Sequence, residues 1–462
     1  MNETNKLVKN FTSSATWNIL GQAISFFVLM YLPRVLGPEG YGIFNFAQSY
    51  VIYFLLFCDL GLSLYCVREV NQNEEKESII NKIYSVKFYL SIISTIIYFI
   101  SVFFINKTPM EKQTLYAIGL SVLFTGITID YLFNALSSMK YVGISVAIKN
   151  IVFAILCFLV IKHNNQVWLV ALFYSISMFS ATIFLNFKFR NKYFELRINW
   201  IKLKDFAILK KALPLAISLF MVQINNNFDI IYLSFTKTQK EVGYYSAPYK
   251  IINFLIAVLC IYFNAAYPSI ASLLKNSKKK LNEFITKFYS IGITFATPVV
   301  FGGLALSDKI INLLFGVEYA PSKILFSLLM PLIIIRMVTS TFGAVLMMGE
   351  GSKSFSKGVI LGAILNIIMN IILVPKYGAE GSAVATLLSE SLQGIYLFYY
   401  FNKYCNFNII KSTVKPLVSS LIMYIFLIKI YNINLFFSII LGCIIYFVSI
   451  IIINFMIRIK NN

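Results

Sequence analysis

The feature that most limits what this chain can become is an apolar segment of about 20 residues that recurs fourteen times. The segments lie near residues 12–33, 43–66, 83–105, 115–137, 143–162, 166–188, 212–234, 246–269, 284–307, 322–347, 356–375, 380–402, 412–430 and 433–456. At about 1.5 Å per residue, each is long enough as a helix to cross the roughly 30 Å hydrocarbon core of a bilayer. Period-two alternation is missing, so they read as helices and not as barrel strands. With 58% hydrophobic and only 13% charged residues, the chain lacks the polar surface a soluble fold needs. The expected fold is all-α: a polytopic membrane protein with about 14 transmembrane helices.

A net charge of +21 would suit nucleic acid, but the basic residues punctuate apolar runs and form no stripe interleaved with aromatics. No nucleic-acid partner is expected. Of the 40 Lys and Arg residues, 26 fall on the side that holds the N-terminus and 10 on the other. Lys87, Lys149, Lys250 and Arg336 lie within helices. The positive-inside rule therefore places both termini in the cytoplasm. The first segment follows Lys6 and Lys9 without a small-residue cleavage site, which reads as a retained helix.

The longest inner loop, FKFRNKYFELRINWIKLKDFAILKK, separates the sixth and seventh segments. It suggests an N-lobe at 1–188, a basic cytoplasmic linker at 189–211, a C-lobe at 212–402, and two further helices at 403–462. The lobes look like repeats. EGYGIFNFAQSY and EVGYYSAPYK align Gly42 with Gly243, and KNIVFAILCFLVIK (149–162) is similar to LNIIMNIILVPK (365–376). Two pseudo-symmetric six-helix halves are the usual build of secondary transporters, with the site between them.

Cys58, Cys66, Cys157, Cys260 and Cys443 lie in apolar segments and Cys405 in an inner loop, with no CxxC pair, so they read as packing residues. His163 is the single histidine, which excludes a histidine-built metal site. No GxxxxGK[ST] loop is present, so ATP hydrolysis by this chain is not expected. No metal or cofactor is expected, and an ion gradient of H+ or Na+ is the expected energy source.

RVLGPEGYGIFNFAQSY, followed by DLGL (59–62) and REV (68–70), resembles the first two helices of Wzx-type polysaccharide flippases. DYLFNALSSMKY (130–141) is similar to the end of their fourth helix, usually D-W-x-F-x-G-x-E-x-M, with Ala135 in place of the glycine and Ser137 in place of the glutamate. LPLAISL through FDIIYL to EVGYYSAPYKI resembles their seventh and eighth helices, and IINLLFGVEYAPS (310–322) the loop before their tenth. The resemblance implies a multidrug/oligosaccharidyl-lipid/polysaccharide exporter with two six-helix lobes in a V around a central cavity. It also implies a cargo, an undecaprenyl-pyrophosphate-linked sugar repeat unit moved from the inner to the outer leaflet of the bacterial cytoplasmic membrane for O-antigen-type polysaccharide. A polysaccharide polymerase and a chain-length partner follow from the same resemblance.

The residues themselves ask for a wet interior. The seventh segment carries QINNNFDIIYL, a poor filling for a helix in lipid. Ser218, Asn225 and Asp229 share one face there, with Asn226 beside them. Asn18, Gln22 and Ser25 form a second stripe; Asn45, Gln48 and Asp59 a third; Ser246, Lys250 and Asn253 a fourth; Ser382, Thr386, Glu390 and Gln393 a fifth. Lipid rejects such stripes, so they are expected to line a cavity.

Cations in that cavity, Lys87, Lys149, Lys250 and Arg336, are candidates for binding an anionic cargo, with Arg336 favoured for the pyrophosphate. Asp59, Asp130, Asp229 and Glu390 are candidates for coupling or gating. Asp229 and Lys250, each within roughly 8 Å of an outer helix end, are expected to pair as an outer gate. The alternative for every such charge is an ion pair that only holds helices together, Arg336 with Glu390 among them.

Competing functions differ in what they demand. A cation-coupled exporter of small cations wants an acidic cavity and usually twelve helices. A membrane polymerase or glycosyltransferase wants a large outer loop, whereas here the largest loop is inside. A peptidoglycan-precursor flippase differs only in cargo.

Overall fold

The computed structural model describes residues 3–72, 75–200, 207–406, 408–430 and 432–461. Residues 201–206 of the basic linker, and the side chain of Ser218, lie outside the described residues. All regular structure among the described residues is helical: α1 (Glu3–Asp59), α2 (Leu62–Gln72), α3 (Lys76–Phe104), α4 (Pro109–Ile127), α5 (Asp130–Ala135), α6 (Lys140–Val160), α7 (Val167–Lys192), α8 (Ala207–Thr236), α9 (Gln239–Asn276), α10 (Lys278–Ala305), α11 (Ser307–Phe315), α12 (Ser322–Leu329), α13 (Leu332–Met348), α14 (Ser352–Phe401), α15 (Ile409–Lys429) and α16 (Leu435–Asn461).

Among the described residues, 11 helical stretches are long and apolar enough to cross a membrane, and a twelfth is the bent pair that makes up α8. Two of the 11 are each two helices joined at a glycine: α1 turns at Gly37 (φ 66°) and α14 at Gly378 (φ 55°). Glycine tolerates positive φ without strain, and Pro38 resumes the helix after the first turn. Fourteen traverses result, as the hydropathy pattern predicts.

Several boundaries differ from that pattern. The second traverse stops at Asp59, because Leu60 (φ 40°) and Gly61 (φ 78°) turn the chain into α2. The fourth stops at Ile127, two residues before α5. The tenth is α12 and α13, broken at Met330–Pro331, where a ring without an N–H interrupts the ladder. Hydropathy does not register such breaks, because the interrupted stretch stays apolar throughout.

The chain divides into two compact units: residues 1–234 with 238–243, and 235–237 with 244–462. In the first, the α1 hairpin packs against α6, α3 and α4, and α4 against α7. Small and polar residues set these contacts. Gly143 lies over the Ser14 backbone, and Asn150 Nδ2 donates to the Gly21 carbonyl at 2.9 Å. Tyr98 donates to the Leu115 carbonyl at 2.7 Å, and Thr128 and Thr182 share a 2.7 Å hydrogen bond. Such bonds, with close backbone approach, hold helices together where lipid supplies no hydrophobic drive. In the second unit α13 packs on α14, α10 on α15 and α13, and α15 on α16. Tyr289 bonds Thr413 at 2.9 Å, and Tyr446 donates to the Thr294 carbonyl at 2.6 Å.

Gly42 and Gly243, aligned in sequence as repeat equivalents, are in contact in the first unit. A Cβ on Gly42 would lie 1.9 Å from the Gln239 carbonyl oxygen, and one on Gly243 would lie 1.8 Å from that of Pro38. No side chain fits at either place.

Candidate functional site

In the first unit the charged residues gather at the break after α1. The Asp59 carboxylate accepts from the Ser63 hydroxyl and from the Ser63 N–H at 3.3 Å, so it caps α2. A carboxylate at the C-terminal end of α1 is unfavourably placed in the helix dipole. Lys87 offsets this from α3: its Nζ lies 2.8 Å from Asp59 Oδ1 and 2.9 Å from Ser63 Oγ. The same ammonium sits 4.0 Å from the centroid of the Tyr131 ring on α5. Lys87 is 3% exposed. Two of the expected charges thus meet, with Asp59 of DLGL and Tyr131 of DYLF both against Lys87. Beside Asp59, a cavity of about 220 Å³ is lined by Leu56, Phe57, Leu213, Ile217 and Phe220.

Asp130 and Lys149 are half-buried, and no ion pair joins them among the described residues. Asp229 is buried in the first unit, as is Asn225, with Asn226 half-buried. Lys250 belongs to the second unit. It lies about three turns into α9, which begins at Gln239. Asn18 bonds back to the Ser14 carbonyl at 2.9 Å, and Gln22 is exposed.

In the second unit the polar stripe of α14 becomes a network. Arg336 Nη2 on α13 is 2.5 Å from Glu390 Oε1. The guanidinium side chain keeps 25% exposure and the glutamate 1%. One turn and two turns before Glu390, Thr386 and Ser382 are buried. The Ser382 hydroxyl donates to Asn370 Oδ1 at 2.8 Å, and Asn370 donates to the Asn366 carbonyl at 2.9 Å. Thr386 lies 3.4 Å from the Tyr245 hydroxyl of α9. Gln393 Oε1 and Asn366 Nδ2 are buried without a hydrogen-bond partner among the described residues. A buried amide group left so costs about 1–3 kcal/mol. The Gly378 turn is what folds Asn366 and Asn370 back against Ser382.

A third cluster was not foreseen. Lys107 Nζ lies 3.1 Å from Glu111 Oε1 and donates to the Ser234 carbonyl at 2.6 Å. Gln239 Nε2 donates to Glu111 at 2.5 Å and to Ser234 Oγ at 2.6 Å. The signal was present in K-T-P-M-E: Thr108 caps α4, Pro109 opens it, and Glu111 completes a capping box with its carboxylate turned inward.

Comparison with known proteins agrees with this architecture. Residues 7–274 match the model of a family described as polysaccharide biosynthesis protein. The capsular polysaccharide biosynthesis protein CapF of Staphylococcus aureus is 25% identical over 409 residues, covering 86% of this chain and 100% of that one. A putative O-antigen transporter of Shigella dysenteriae is 25% identical over 379 residues, covering 79% and 93%. Among solved structures, the lipid II flippase MurJ in an inward closed conformation superposes with a TM-score of 0.75 at 17% identity, over 96% of this chain and 98% of that one. An inward-facing multidrug resistance MATE transporter of the MOP superfamily gives 0.64 at 14% identity, over 84% and 94%. The likeness to solved structures establishes the fold, and the family match, which spans more than half the residues, establishes the kinship: the chain is a multi-pass membrane protein that belongs to the polysaccharide biosynthesis protein family.

Proposed function

We propose that this protein moves an undecaprenyl-pyrophosphate-linked oligosaccharide repeat unit from the inner to the outer leaflet of a bacterial cytoplasmic membrane by alternating access. The observation that carries the reading is the Arg336–Glu390 pair. Glu390 is almost fully enclosed while Arg336 keeps a quarter of its side-chain surface open, so an arriving anion meets the arginine first. Guanidinium stays charged at any physiological pH and presents forked donors matched to phosphate oxygens. The buried, unpartnered amide atoms of Asn366 and Gln393, both on α14, suit a path that polar molecules enter. The names of the relatives, a capsular polysaccharide biosynthesis protein and O-antigen transporters, support a glycan cargo. Energy comes from an ion gradient, H+ or Na+, with Asp59, Asp130, Asp229 and Glu390 as the carboxylates through which it acts. Both termini are cytoplasmic.

The test uses a strain lacking this gene. It should accumulate a lipid-linked oligosaccharide on the inner leaflet, and the intact gene should clear it. Arg336→Ala should insert at normal level and leave the intermediate stranded; combining it with Glu390→Gln should not restore export. Export by Arg336→Ala at the wild-type level would overturn the anion-site reading. Recovery in the double variant would make the pair structural.

A further inference from the structure

We propose that residues Arg190–Trp200 form a membrane-surface strap that sets Trp200 and Ile198 into the headgroup region of an anionic leaflet. After α7 ends at Lys192 the chain loses helical structure but is not free. The N–H groups of two alternate residues go to one helix: Arg197 to Asn81 Oδ1 at 3.0 Å and Asn199 to Ser85 Oγ at 2.9 Å. Both acceptors are buried on α3. They lie one helical turn apart, about 6 Å, close to the advance of two extended residues. From Arg197 to Asn199 the strap therefore climbs α3 from its charged start toward its apolar middle. Trp200 thus ends about one helical turn past residue 83, where the apolar run begins.

Side chains along this stretch alternate. Phe194 and Leu196 pack against the core formed by α2, α3, α5 and α7. Ile198 and Trp200 continue the same face and run off the protein, at 46% and 91% exposure. The other face carries Glu195, Arg197 and Asn199, all exposed. An indole with one apolar side and one N–H is the side chain most at home at a bilayer interface. Near the strap stand the exposed Lys82, Arg190, Lys192 and Arg197, against Glu195, which pairs with Arg190 at 3.4 Å. Basic residues at this level attract anionic headgroups. The depth fixed by α3 and the charge excess commit the face to lipid rather than to a soluble partner. Through this contact residues 193–200, which follow α7, are held on the bilayer surface.

The chain has three tryptophans, so replacing Trp17 and Trp168 by Phe leaves Trp200 as the single reporter. In bilayers of anionic and zwitterionic lipid its emission should lie to the blue of an indole in water. Bromines placed near the headgroups should quench it more than bromines near the chain ends. Raising the anionic fraction should strengthen that quenching, and replacing Lys82, Arg190, Lys192 and Arg197 together by Gln should abolish the dependence. The difference spectrum between the full-length wild type and Trp200→Ser gives the same reading if the reporter variant expresses poorly. A water-like spectrum quenched by iodide and not by brominated lipid overturns the proposal. A blue shift that follows protein concentration and ignores brominated lipid overturns it as well, in favour of a second copy of the chain.

Discussion

Replacing Lys87 by Met should destabilise the first unit by an amount the structure lets one bracket. The change removes a 2.8 Å ion pair with Asp59, a 2.9 Å hydrogen bond to Ser63 and a cation held 4.0 Å over Tyr131. Breaking a buried pair on one side costs about 3–5 kcal/mol, mostly because the remaining charge loses its partner. Asp59 keeps 19% side-chain exposure and its bonds from Ser63, which places the expected loss near the lower end, about 3 kcal/mol. Removing both charges, with Asp59→Asn and Lys87→Met, leaves a polar cap facing an apolar side chain. Such replacements are often neutral, so the double variant should lie within about 1 kcal/mol of wild type. The assay is reversible unfolding in mixed micelles, read as a double-mutant cycle. A loss below about 1 kcal/mol for Lys87→Met, or strict additivity in the double variant, would mean that the two charges are not coupled.

Other outcomes follow from single contacts. Gly243→Val should lower thermal stability by about 1–3 kcal/mol or prevent folding, because the atom it meets is the Pro38 backbone carbonyl and not a side chain that can turn away; an unchanged melting temperature would contradict that packing. The Cys405 thiol, buried and bonded to Asn282 Oδ1 at 2.8 Å, is pushed by burial up to about 11. Its raised pKa leaves almost no thiolate at neutral pH, so maleimide should label it slowly in the folded protein and faster as the pH rises, and rapid labelling at pH 7 would count against it. Cysteines placed at 195 or 198 should stay protected from an impermeant thiol reagent in intact cells; labelling there would reverse the proposed orientation.

The sequence reveals traverses better than it reveals breaks. Bilayer thickness sets a length that hydropathy reads directly, which is why the glycine-joined pairs inside α1 and α14 each appear as two segments. Asp59, by contrast, lies within a continuous apolar stretch. Its position at a helix end is decided by the φ values of Leu60 and Gly61, and only the folded chain shows it capping α2. Partners separated along the chain were legible as stripes and not as pairs. Glu390 appears on the stripe of its helix, but its distance to Arg336 depends on the α13–α14 packing. Lys107 and Glu111 were missed because they flank an apolar segment, where charged residues are ordinary. Their burial comes from Ser234 and Gln239, more than 100 residues away.

Flipping in a defined bilayer tests whether this protein transports a pyrophosphate-linked glycan. Purified protein would be reconstituted into vesicles holding an undecaprenyl-pyrophosphate oligosaccharide, under an imposed H+ or Na+ gradient. The fraction of sugar reaching the far leaflet would be read by a membrane-impermeant glycosidase. Transfer should depend on the gradient, fall to the empty-vesicle level in Arg336→Ala, and discriminate against an uncharged polyprenyl-linked sugar. Equal transfer of charged and uncharged lipids, or none by the wild-type protein with either gradient, would contradict it.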